Sequence, residues 1–205
     1  MNRTATLPTT AARVTALPRR LDPDRIEDAA RELLHALGAD LTDESLRDTP
    51  RRMAAAYAEL LSPAPFDATT FPNDRGYDEL VVVRDIDFHS LCEHHMLPFV
   101  GVAHVGYLPG ERIVGISKLA RVVDHFARAL QVQERLTKQI ADWLESELSP
   151  KGVGVVLEAE HMCMSLRGAV KPGTRTVTSA LAGLVRDDPR TRQEFLALTG
   201  GSTHG

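Results

Sequence analysis

The sequence lacks three features that would each point to a particular class of protein. No apolar run approaches the roughly 18 residues that a transmembrane helix needs, so no membrane span is expected. The formal net charge of -4 provides no overall positive field, which argues against duplex nucleic acid as the main partner. The 2 cysteines are too few for the disulfide framework of a small secreted scaffold, and no secretory signal peptide precedes them. We therefore expect a cytoplasmic protein whose cysteines bind metal or take part in chemistry.

The 205 residues, 43% of them hydrophobic, have the size and composition of one globular domain. Residues 1–21 are rich in Thr, Ala, Pro and Arg and contain no acidic residue. This composition predicts a disordered tail; the alternative, an organellar transit peptide, would need an amphipathic stripe that the segment lacks. We expect the folded domain over 22–205, with a helical part over about 22–62 and a second part over about 80–200.

Start and stop signals divide the folded part into helices and strands. Asp22-Pro23 and Thr49-Pro50 are typical helix starts, and the apolar spacing after each predicts an N-terminal pair of helices. Later patterns predict strands over 80–88, 99–108, 112–116, 152–163 and 175–184, and helices over 117–130 (with Ser117 as N-cap), 133–148 and from 188 onward. Residues 64–79 are turn-rich and show no clear period. Strands joined by short turns, with helices grouped between them, predict an α+β fold with a mostly antiparallel sheet.

Cysteine and histidine are concentrated in two short segments. Cys92, His94 and His95 lie within four positions, and His161 and Cys163 lie close together at the end of a predicted strand. Because side chains alternate along a strand, we expect His161 and Cys163 to point to the same side. Thiols and imidazoles together are the ligands that Zn²⁺ prefers, so we expect a zinc site where the two segments meet.

The residues alone leave open whether the site binds no metal, a structural zinc or a catalytic zinc. Two Cys and two His would close a tetrahedron and form a structural site, whereas two Cys and one His would leave a position for water, as catalytic zinc requires. The adjacent His94 and His95 can hardly both face one ion without backbone strain, so we expect that only one of them binds the metal.

Further polar residues together suggest an anionic ligand, although each of them alone is as expected for a solvated surface charge. Ser117 and Lys118 stand at a predicted helix start, where amide groups and the helix dipole favour anions. Arg121 follows on the same helix face, and Arg167 comes just after the second cysteine. At the next helix start, Glu134 could either stabilise the helix N-terminus or accept hydrogen bonds from the donor edge of a base.

Four motifs in this order resemble those of the zinc-dependent GTP cyclohydrolase I family. They are Ser90-Leu91-Cys92-Glu93-His94-His95, Gly115-Ile116-Ser117-Lys118-Leu119, Gln131-Val132-Gln133-Glu134-Arg135-Leu136 and His161-Met162-Cys163-Met164. The resemblance extends from about Asp22 to Leu198. It implies a hydrolase that opens the imidazole ring of GTP, releases C8 as formate and recloses the product as 7,8-dihydroneopterin triphosphate.

The resemblance also implies roles for individual residues. The matches to the zinc ligands are Cys92, His95 and Cys163. The matches to the catalytic group are His94, His161 and Gln133. The matches to the substrate contacts are Glu134 for guanine, Ser117, Lys118, Arg121 and Arg167 for ribose and triphosphate, and Arg52 for a phosphate bound by a neighbouring subunit.

The implied architecture is the tunnelling fold, with helices packed on one face of the sheet and an N-terminal helical hairpin. The implied assembly is a ring-shaped homodecamer with active sites at subunit junctions. The resemblance also implies a product that feeds folate, biopterin and deazapurine routes.

Two rival interpretations remain. One is another enzyme of the same fold that reduces a nitrile on a deazapurine, which would use a nucleophilic thiol without this ligand set. The other is a closed zinc module, with His161 as fourth ligand, that serves as an interaction scaffold.

Overall fold

The structure is a computed structural model that describes residues 10–14 and 21–200. Most of the predicted disordered tail therefore lies outside the described residues, and its disorder stays a prediction there. Residues 10–14 form strand β1 (Thr10–Val14), which pairs with a later strand.

Two helices open the folded part and pack against each other. Helix α1 (Pro23–Ala36) begins as predicted, because the side chain of Asp22 accepts a hydrogen bond of 3.2 Å from the backbone N–H of Arg25. Gly38 follows its C-terminus with φ of 81°, a conformation that favours glycine. Helix α2 (Thr49–Leu60) includes Thr49 itself and has no side-chain N-cap.

The remaining elements form two sheets and five further helices in the described part of the chain. The strands are β2 (Phe66–Pro72), β3 (Val81–Cys92), β4 (Pro98–Leu108), β5 (Arg112–Val114), β6 (Leu130–Gln131), β7 (Gly152–His161) and β8 (Arg175–Ala182). The helices are α3 (Ile116–Ala127), α4 (Gln133–Leu148), α5 (Met162–Ser165), α6 (Gly183–Asp187) and α7 (Pro189–Thr199).

The larger sheet has the strand order β6-β3-β4-β7-β8, and the smaller one the order β1-β2-β5. The pairing is antiparallel throughout except between β3 and β6. The structure is therefore α+β with a mostly antiparallel sheet, as predicted. None of the helices in residues 21–200 is long and apolar enough to cross a membrane.

Three local predictions were wrong. The turn-rich stretch contains β2, whose inward positions include the small Ala68 and Thr70 and so give no strong apolar alternation. Helix α3 begins one residue before Ser117, after Gly115, and has no side-chain cap. The strand predicted to reach Cys163 ends at His161, where its ladder with β4 ends, and Cys163 lies in α5.

Helices cover both faces of the larger sheet, which corrects the expectation of helices on one face. Residues of α3 and α4 pack with Val153, Val155 and Leu157 of β7 in the main core. Phe195 of α7 packs on the opposite face, over Gly154. A Cβ at Gly154 would lie 2.6 Å from Cζ of Phe195, so the missing side chain makes room for this ring.

Candidate metal and active site

The sheet register brings the two cysteine segments together. Cys92 is the last residue of β3, and a short turn leads from it into β4. Phe99, near the start of β4, pairs with Ser90 of β3 on one side and with His161, the last residue of β7, on the other. Helix α5 follows β7 directly and carries Cys163. The end of β3 and the end of β7 therefore meet at the same edge of the sheet.

The three predicted zinc ligands form one cluster at this edge. One ligand atom from each of Cys92, His95 and Cys163 lies within 4.8 Å of the others. Sγ of Cys92 is 3.9 Å from Nδ1 of His95. Tetrahedral bonds of about 2.0–2.3 Å to zinc place ligand atoms roughly 3.3–3.8 Å apart, so a small contraction would bring these side chains onto one ion.

The donor chemistry of the cluster also fits a divalent cation. Burial, followed by the repulsive effect of the neighbouring Cys92, raises the pKa of the Cys163 thiol. Two thiolates so close together are unfavourable unless a cation lies between them. A pair of sulfurs with one imidazole nitrogen is a ligand set that zinc accepts.

The turn that carries His95 is held in place by backbone hydrogen bonds. The N–H of Cys92 donates to the carbonyl of Leu97 over 2.9 Å, and the N–H of Met96 donates to the carbonyl of Cys92 over 2.9 Å. Glu93 forms an ion pair with Arg135 of α4. Helix α4 thus anchors the metal-ligand turn, a role for Arg135 that the motif spacing alone does not indicate.

His94 lies beside the cluster without belonging to it. Its Nδ1 is 3.8 Å from Sγ of Cys92, and its ring is inclined by 74° to that of His95. The two adjacent histidines thus both approach Cys92, but only His95 belongs to the group of three. His94 is exposed and accessible to a ligand.

His161 is turned toward the interior. Its Nε2 lies 2.7 Å from Oε1 of Gln133, and its ring stacks on Phe99 with centroids 4.6 Å apart and planes inclined by 5°. Burial lowers the pKa of His161, an effect that the carboxylate of Glu134 partly offsets. The sequence does not indicate Phe99 as a site residue, because its position depends on the β4–β7 register.

Of the predicted anion contacts, only Arg167 reaches the cluster within one chain. Its Nη1 is 3.3 Å from Nε2 of His95. Ser117, Lys118 and Arg121 lie toward the N-terminal end of α3. The other end of that helix is beside the site, because Oγ of Ser90 donates to the carbonyl of Ala127 over 2.6 Å.

Among the described hydrogen bonds, none joins Ser117, Lys118, Arg121 or Arg52 to the metal ligands of the same chain, whereas Arg167 makes one. A helix rises about 1.5 Å per residue, so Ser117 is about 15 Å along α3 from Ala127. Arg121 lines a separate cavity of about 530 Å³ with Asp124 and Arg128. Arg52 donates to the carbonyl of Ser45 over 2.9 Å and to Oγ1 of Thr49 over 3.0 Å.

Known proteins share much of this sequence. A family model described as GTP cyclohydrolase I matches residues 26–200. GTP cyclohydrolase 1 of Aquifex aeolicus is 52% identical over 88% of this chain and 98% of that protein. The enzymes of the same name from Streptomyces avermitilis and Streptomyces griseus are 55% and 56% identical, each over 86% of this chain and 90% of theirs.

Among solved structures, the apo form of the archaeosine synthase QueF-Like matches with a TM-score of 0.43 and 17% identity, over 51% of this chain and 93% of that one. That similarity is too low to support an inference. The family model spans most of the chain and the relatives align over nearly their full length, so the chain belongs to the GTP cyclohydrolase I family.

Proposed function

We propose that this chain hydrolytically opens the imidazole ring of GTP, releases C8 as formate and recloses the product as 7,8-dihydroneopterin triphosphate. The observation that carries the proposal is the convergence of Cys92, His95 and Cys163 in a member of this family. These three side chains would hold zinc. When bound, the ion would supply the Lewis acidity that makes water nucleophilic near neutral pH.

Two imidazoles are available to move protons. C8 of guanine is a poor electrophile, so attack on it requires a proton at N7. His161 is held beside the cluster by Gln133 and Phe99, and we assign it this transfer, which typically contributes about 10²–10⁴-fold. His94, exposed next to the ligand His95, is assigned to the later ribose opening and rearrangement.

Glu134 is the proposed guanine contact. It is exposed at the first turn of α4 and close enough to affect His161 electrostatically. Guanine presents donors at N1 and N2 that one carboxylate can accept together. Adenine has an acceptor at N1 and would leave the carboxylate unpaired, a mismatch that can discriminate by about 10⁴-fold or more.

The positions of the predicted triphosphate contacts support active sites that are formed between subunits. Arg167 stands at the cluster of its own chain, whereas Ser117 is about 15 Å along α3 from the end that touches the site. Lys118 follows Ser117 in α3, Arg121 lines a cavity with Asp124 and Arg128, and Arg52 donates to the carbonyl of Ser45, so none of these described contacts is with the metal ligands. We propose that a second copy supplies these groups, in a homodecamer of the tunnelling fold.

The rival zinc scaffold requires His161 as fourth ligand. Neither ring nitrogen of His161 belongs to the group of ligand atoms formed by Cys92, His95 and Cys163, and its Nε2 donates to Gln133 instead. These observations favour a site with a position open to solvent. The rival reaction, reduction of a nitrile, would need a nucleophilic thiol and would not require a metal-ligand set of two cysteines and a histidine.

We place the reaction at the entry to pterin and tetrahydrofolate biosynthesis, and so in one-carbon metabolism, in the cytoplasm.

The test is incubation of the purified protein with GTP while formate and a fluorescent oxidised pterin are measured. Equal amounts of both support the proposal, and formation of neither would refute it. His161→Ala should keep zinc and fold but lower turnover about 10²–10⁴-fold, to a residual rate that can still be measured; loss of zinc with unfolding would favour the scaffold.

A further inference from the structure

Hydrogen bonds allow the side chain of Gln133 only one orientation. The residue is 1% exposed at the start of α4. Its Nε2 lies 3.1 Å from the carbonyl of Leu157, 2.9 Å from the carbonyl of Thr176 and 3.1 Å from Oγ1 of Thr178. If the amide were reversed, Oε1 would face the carbonyl oxygens of Leu157 and Thr176, and neither of these can donate a hydrogen bond. Oε1 must therefore face His161.

This orientation determines which nitrogen of His161 carries the hydrogen. Oε1 of Gln133 can only accept, so Nε2 of His161 must donate across their 2.7 Å contact. The neutral ring then has its lone pair on Nδ1, which has no hydrogen-bond partner within residues 21–200. The stack on Phe99 fixes the plane of the same ring.

The hydroxyls of Thr137 and Thr178 hold Gln133 in place by hydrogen bonds. Oγ1 of Thr137 lies 2.7 Å from the carbonyl of Gln133 and 2.6 Å from Oγ1 of Thr178. The carbonyl can only accept, so Thr137 donates to it, and Thr178 donates to Thr137. Oγ1 of Thr178 in turn accepts from Nε2 of Gln133. Each hydroxyl hydrogen thus has an acceptor, and the ring of bonds ties α4 to β8.

We propose that Gln133 is a positioning residue that acts through His161, and that Thr137 and Thr178 hold it in place. Each polar atom of its side chain has a partner inside the protein, and the residue is 1% exposed, so guanine and the reacting bonds do not reach it. The assignment of Gln133 to the catalytic group is therefore replaced by an indirect role. This inference rests on the catalytic role proposed for His161.

The test compares Gln133→Met in two backgrounds. In the otherwise unchanged enzyme, kcat should fall about 10- to 100-fold, part of the contribution expected of a proton-transferring imidazole. KM for GTP and zinc content should stay within about twofold, because Gln133 contacts neither. In a His161→Ala background the same change should have almost no further effect on kcat, since residues that act as a unit are not additive.

A second pair of variants tests the proposal independently, in case Gln133→Met does not fold. Thr178→Val keeps the shape but removes the hydroxyl, and should lower kcat severalfold, less than Gln133→Met because two carbonyl acceptors remain. Thr178→Ser restores the hydroxyl and should restore kcat. Neither variant should change zinc content.

Each part of the proposal has its own result that would contradict it. A raised KM, or losses that multiply in the double variant, would show that Gln133 acts on the substrate and would overturn the positioning role alone. Unaltered kcat in Thr178→Val would overturn the role of the hydroxyl ring. Normal turnover by His161→Ala would refute the catalytic role of His161 and, with it, this inference.

Discussion

The guanidinium of Arg167 donates to the metal-ligand histidine His95, with Nη1 3.3 Å from Nε2. Arginine cannot accept a hydrogen bond, so Nε2 must supply a lone pair. This contact cannot persist once His95 binds a metal. If Nε2 is the ligand, its lone pair is used; if Nδ1 is the ligand, Nε2 carries the hydrogen. Metal binding should therefore release Arg167.

We expect Arg167→Ala to weaken binding of inorganic triphosphate more in the zinc-loaded protein than in the zinc-free protein. The difference should be at least about fivefold, the lower range of a coupling between two sites. Calorimetric titration of both forms measures it. Arg175→Ala, which removes the same charge from an exposed position on β8, is the control. Equal losses in both forms would contradict the release of Arg167.

Glu134→Gln tests the proposed guanine contact. The amide retains one acceptor but presents a donor to a donor edge, so kcat/KM for GTP should fall about 10- to 100-fold, equivalent to about 1.5–3 kcal/mol for a hydrogen bond to a charged group. Zinc content should not change. The control is Glu145→Gln, at an exposed position of the same helix. An unaltered preference for GTP over ATP would place base recognition elsewhere.

His125 makes stability depend on pH in a predictable direction. It is buried between Phe66 and Phe126, and its Nδ1 has no hydrogen-bond partner in the described part of the chain. Burial lowers the pKa of His125 below its ordinary value. The unfolded state therefore binds the proton first as pH falls below about 6.5, and the free energy of unfolding decreases there.

His125→Phe should remove this part of the acid sensitivity. Urea unfolding at a fixed protein concentration, at pH 8 and at pH 5.5, measures the effect. At pH 8 the histidine is neutral in both states, so a difference between the two proteins there reports packing alone. A variant that loses as much stability on acidification as the unchanged protein would contradict the prediction.

The main helices could be predicted from local signals. Asp22 and Pro23 start α1, and Asp188 caps α7 by accepting from the N–H of Thr191 over 3.0 Å. By contrast, β6 has only two residues and exists because Leu130 and Gln131 pair in parallel with the end of β3. That pairing depends on tertiary structure, and no local period marks it.

The site shows the same division between local and long-range information. The ligand types and the convergence of two cysteine segments could be anticipated from the sequence, and the residue assignments came from the family motifs. The expectation that His161 and Cys163 share one side of a strand was wrong, because β7 ends between them. The contacts of His161 with Phe99 and Gln133 depend on the β4–β7 register and on the position of α4.

The most direct test of the account is the zinc content and formate release of Cys163→Ser, measured on the same preparation. Without one sulfur of the Cys92–His95–Cys163 cluster, we expect most of the zinc and nearly all formate release from GTP to be lost, while the fold is retained. Full formate release by a Cys163→Ser protein, with or without zinc, would contradict the proposed metal site and the ring opening assigned to it.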